Sequence, residues 1–130
     1  MAGIKLSAKA AEEYDFLEAV TRKCEHISSL VEQYASANKG AEIFLSQITR
    51  TLGQVRQQAM IKNLGFVADH AGMLGVAAAR GSQLQRARTI REGASSLKQL
   101  VERTMKAIVD TDRREKGQKA EEKLAAGGGH

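Results

Sequence analysis

The chain has no proline, no tryptophan, one cysteine, and only three Phe and two Tyr among its 130 residues. Its apolar content is instead built from 20 Ala and 11 Leu against 14 Val or Ile, a mix that suits closely approaching helices better than a pleated sheet. An all-β fold is thereby excluded. The lone Cys24 rules out a disulfide framework and any zinc site built on cysteine, and His26, His70 and His130 lack ligand spacing, so no metal or other cofactor is expected. A reducing, cytoplasmic setting is the expectation. No stretch approaches the ~18 apolar residues of a membrane span, Met1 to Ala11 lacks the continuous apolar core of a signal peptide, and no membrane partner is expected. At 14.1 kDa the chain suffices for one modest core and not for two.

What is present is helical periodicity. Between Ala10 and Tyr34 the apolar positions fall on two interleaved sevens, Ala10, Leu17, Cys24, Val31 and Val20, Ile27, Tyr34. Ser7 is placed to cap this first helix, acids crowd its N-terminal half, and Asn38 with Gly40 end it, which predicts a helix over 8–36. A second amphipathic segment sets Ala41, Leu45, Ile48, Leu52, Val55 and Ala59 on one side, with Gln47, Arg50, Gln54, Gln57, Gln58 and Lys62 on the other. Asn63-Leu64-Gly65 then reads as a C-cap or a kink. Ser82-Gln83-Leu84-Gln85 is a capping box that opens a last helix along Ala87, Ala94, Val101 and Ile108, extending into 110–115.

From Leu64 to Ala79 the only polar side chains are Asp69 and His70. A helix apolar all round must be covered, either as the central element or at a subunit interface. Ala68, Gly72, Gly75 and Ala79 place small residues along one side of it, inviting close approach by another backbone and a homo-oligomer. The expected fold is an all-α antiparallel four-helix bundle over residues 1–116; the alternative is three long helices, the second running kinked through Gly65, that complete a core by dimerisation. Residues 117–130 read as a charged flexible tail whose Gly127-Gly128-Gly129-His130 end resembles a linker leading into a truncated affinity tag.

The net charge of +5 is uneven: residues 1–36 carry four Lys/Arg against six Asp/Glu, residues 37–108 eleven against four, and residues 109–130 five of each. Arg50, Lys62, Arg80, Arg86, Arg88, Arg91 and Lys98 are the candidate contacts for a nucleic-acid phosphate backbone, because each cation that neutralises a phosphate releases counterions, and neighbouring Gln side chains hydrogen-bond without repelling. With so few aromatics, base stacking cannot dominate, so contact without sequence reading is expected, to RNA or DNA. Glu18, Glu25 and Glu32, at seven-residue spacing, offer a competing destination for the same cations on a neighbouring subunit.

Enzymatic constellations are missing. Cys24 and His26 point to different sides of a helix, no Glu-x-x-His occurs, and no phosphate-cradling glycine loop or nucleophile elbow is present. An imidazole after Asp69 on an apolar bundle helix resembles histidine-phosphotransfer domains, which would imply phosphoryl transfer at His70. Those domains carry Lys three residues on and Gly four on, where this chain has Met73 and Leu74. The expectation is therefore a non-enzymatic, self-associating basic subunit of a larger protein complex that binds nucleic-acid backbone. The alternatives are a purely structural protein–protein scaffold and, third, a histidine phosphotransfer protein.

Overall fold

A computed structural model describes the backbone of residues 6–128 and the side chains of residues 6–115. Four helices follow in order, α1 (Ala8–Ser36), α2 (Ala41–Ile61), α3 (Gly65–Ala77) and α4 (Gln83–Gly128), with no strand among the described residues. Each packs on its sequence neighbours and α4 closes the ring against α1, the arrangement of a four-helix bundle. Short connections force antiparallel neighbours.

The helix ends are written in local chemistry. Ser7 Oγ accepts the Ala10 amide at 3.3 Å, capping α1 as expected. At the other end of α1, the Gln83 side-chain amide donates to the carbonyls of Tyr34 (2.7 Å) and Ala37 (3.0 Å), so the first residue of α4 satisfies the end of α1. Ser82 and Gln85 form the reciprocal capping box: Ser82 N–H donates to Gln85 Oε1 at 2.9 Å and Gln85 N–H to Ser82 Oγ at 3.2 Å.

Two helices, not one kinked helix, occupy residues 41–77. Asn63 adopts a left-handed φ of 59°, the Leu64 amide reaches back to the Ala59 carbonyl (2.8 Å) and the Asn63 amide to that of Met60 (3.2 Å). This paired 6→1 and 5→2 closure satisfies the last carbonyls of α2 and turns the chain, while Leu64 enters the core. The three-helix alternative is thereby excluded.

The core is the one the periodicity marks: Leu17, Val20, Cys24, Ile27 and Val31 from α1, Ile48, Leu52, Val55 and Ala59 from α2, and Ala87, Ile90, Ala94, Leu97 and Val101 from α4. The short α3 contributes Val67, Ala68, Ala71 and Leu74. It sits at a corner of the bundle rather than its centre, leaving Phe66, Met73 and Val76 exposed. Leu74 packs onto Gly93 of α4, where a Cβ would lie 2.9 Å from Leu74 Cδ2, 3.1 Å from Cγ and closer still to Cδ1.

Asp112 of α4 lies level with the start of α1, its carboxylate accepting the Ser7 amide at 3.3 Å. The backbone of α4 runs on as helix through the charged segment as far as Gly128. Between its glycines that stretch is QKAEEKLAA, nine residues of high helix propensity with no proline. Gly129 and His130, the end of the tag-like segment, lie outside the described residues.

Candidate functional site

The seven cations singled out by the sequence divide into two groups. Arg91 Nε and Nη2 donate to the two carboxylate oxygens of Glu32 at 2.7 and 3.2 Å, and Lys98 Nζ lies 3.3 Å from Glu25. One step of seven residues down α1 is matched by one step of seven up α4, so the antiparallel register repeats the pair. The hydrogen bond from Arg91 holds the Glu32 carboxyl below its ordinary range, and the same bond raises the guanidinium of Arg91. Lys62 pairs with Glu12 at 3.0 Å, its ammonium 5.9 Å from the centre of the Phe16 ring. The acidic stripe of α1 therefore meets α4 of its own chain at Glu25 and Glu32, while Glu18 pairs with Arg22 on the same helix at 3.2 Å.

Arg50, Arg80, Arg86 and Arg88 have no carboxylate partner among the described residues. Arg50 stands exposed on α2. Arg86 is half-buried, and its Nε–H is buried without an acceptor. Arg80 and Arg88 line one surface cleft together with Arg56 of α2, a residue the sequence reading passed over. Nothing in the spacing of α2 marks Arg56; only the antiparallel packing of α2 on α3 lays its stem beside Gly72, where a Cβ would meet Arg56 Cδ and Nε at 3.2 Å.

The cleft encloses about 1040 Å³. Its floor is apolar, formed by Ala68, Gly72, Met73, Val76 and Ala77 of α3. Met73 is 73% exposed and Val76 60%, large values for apolar side chains on a packed helix. Asp69 is the one acid in the lining against three arginines. Rim charge and floor hydrophobicity thus occur at one place.

The four small residues do not share one open face. Ala68 is buried, Gly72 is half-covered with the Arg56 stem beside it, Gly75 is half-buried, and Ala79 lies in the turn after α3. His70 is half-buried and makes no hydrogen bond among the described residues, while its neighbour Asp69 is exposed. Cys24 is 1% exposed, and burial pushes its thiol up to about 11 against the opposing charge of Lys98. Among the described residues no three His, Cys, Asp or Glu side chains gather as a metal would require, and no helix is long and apolar enough to cross a membrane. Comparison with protein families, with curated proteins and with solved structures returns no match to this chain.

Proposed function

We propose that the protein is a non-enzymatic docking module, an accessory part of a larger assembly, that holds an anionic protein partner in the cleft over α3. The observation that carries this reading is the coincidence of Arg56, Arg80 and Arg88 with exposed Met73 and Val76 in a single cleft. An apolar centre ringed by charge is the anatomy of a protein interface. A phosphate backbone gains from the arginines and nothing from burying Met73 and Val76. The setting proposed is the cytoplasm, where the single thiol stays reduced.

A second reading, sequence-independent binding of nucleic acid, draws on Arg50, Arg80, Arg86 and Arg88, none of which has an acid of its own among the described residues. A photo-crosslinking amino acid placed at Met73, on the cleft floor, separates the two in cells. Docking of a protein gives an adduct that survives nuclease and weakens when Arg80 and Arg88 are changed to Gln. A nuclease-sensitive adduct transfers the function to the second reading, and no adduct of either kind removes the cleft as the working surface.

A further inference from the structure

We infer that the occupant of the cleft is an acidic amphipathic helix, about as long as α3, contributed by a different protein. The inference rests on the docking reading and adds the form and chemistry of the partner. Three features of the molecule support it.

The first is charge complementarity. Three arginines against Asp69 leave the cleft positive, and none of the three is neutralised by a neighbour among the described residues. An occupant with carboxylates at its edges supplies what they lack, and Arg is suited to hold carboxylates in two-point contact.

The second is that the chain already contains the solution on its other side. Along α1 an apolar line, Val20, Cys24 and Val31, is buried in the core while Glu25 and Glu32 of the same helix reach Lys98 and Arg91 of α4. The cleft presents the same pairing of apolar surface with cations, and there it lacks a helix. An occupant that repeats the chemistry of α1 fits it. A second copy's α1 cannot serve, because its apolar line is buried in its own core and Glu12, Glu25 and Glu32 are already paired.

The third is dimension and polarity. α3 has 13 residues, about 20 Å at ~1.5 Å per residue, so the floor accommodates between three and four turns. Arg80 lies in the turn after the C-terminal end of α3 and Arg88 in the helix that follows, while Asp69 lies near the start of α3. Acids favour helix N-termini, so an occupant with its acidic first turn at Arg80 and Arg88 runs antiparallel to α3, as every sequence neighbour in the bundle does.

The test uses the full chain and a synthetic helical peptide of about 14 residues, with Leu on one face and Glu on its flanks and first turn, followed by calorimetry and by amide chemical shifts. Saturable one-to-one binding that shifts α3 and the start of α4 is expected, weakened about tenfold by Arg80→Gln or Arg88→Gln and lost with Val76→Asp. Circular dichroism and melting verify that each variant folds, and Lys106→Gln, at an exposed position of α4 that does not line the cleft, serves as the unaffected control. The same peptide with Lys for Glu should not bind. Equal binding of the Lys peptide, or no saturable binding of the Glu peptide, overturns the inference. So does a dimer in sedimentation that Val76→Asp dissolves, since the cleft would then belong to a second copy, or a short RNA duplex that displaces the peptide. A nuclease-resistant adduct at Met73 together with a peptide that fails to bind leaves the docking reading standing and rejects only the helix.

Discussion

Arg91 of α4 holds Glu32 of α1 through two hydrogen bonds, 2.7 Å from Nε and 3.2 Å from Nη2, and this pair decides how the basic charge of the protein is used. With Lys98 on Glu25 it fastens α4 to α1, so two of the cations of α4 serve the fold. The arginines left for a partner in the cleft are Arg56 of α2, Arg80 in the turn before α4, and Arg88 of α4.

Because the bond from Arg91 lowers the Glu32 carboxyl, the pair stabilises the fold above the ordinary glutamate value of 4.5, and that contribution is lost as pH falls through the lowered value. Thermal melts of the natural chain and of Glu32→Gln should differ most near neutral pH and converge on acidification. A difference that stays constant with pH would show that the pair contributes no linked proton.

Two helical glycines should respond in opposite directions to alanine. Gly53, exposed on α2 with nothing within 4 Å of a new Cβ, should gain about 1 kcal/mol from helix propensity alone. Gly93→Ala drives a methyl into Leu74, a core side chain, and should lose about 1–2 kcal/mol after that propensity gain, within the range for overpacking. In a Leu74→Ala background the Gly93 penalty should vanish, which denaturant titration of the four chains measures directly.

At Asn63 the left-handed backbone separates α2 from α3. Asn63→Gly should be neutral or stabilising, whereas Asn63→Val should cost about 1–2 kcal/mol, because a β-branched residue is strained at positive φ. Equal melting of the two variants would argue for a continuous helix through this point.

Cys24 should resist alkylation at pH 8 in the folded protein and react at once in denaturant, since burial removes both access and the thiolate. Its raised pKa gives stability that is full below the ordinary value of 9.0 and declines as pH rises towards about 11. Cys24→Ala should therefore lose less on that alkaline limb than the natural chain does, a comparison that cancels the lysines titrating in the same window. Fast native labelling would show that α1 opens locally at the seam.

Helix existence, the Ser7 and Ser82 caps and most core positions were determined by the sequence alone, because capping and amphipathic periodicity are local: a side chain three residues from an amide, or apolar residues seven apart, act within one helix. Asn63 was legible as an interruption for the same reason. The use of the charges was not. Whether Glu25 and Glu32 meet their own α4 or a neighbour, whether α3 is central or at a corner, and whether Arg56 belongs with Arg80 and Arg88 depend on the register and order of helices far apart in the chain. The small-residue side of α3 illustrates the limit, since spacing shows which residues share a side and only packing decides what covers it. Gly93 and Leu74 illustrate it again, a contact between residues whose spacing carries no signal until α3 and α4 are laid side by side. Local chemistry writes the helices; the antiparallel packing of those helices decides which side chains remain free to bind.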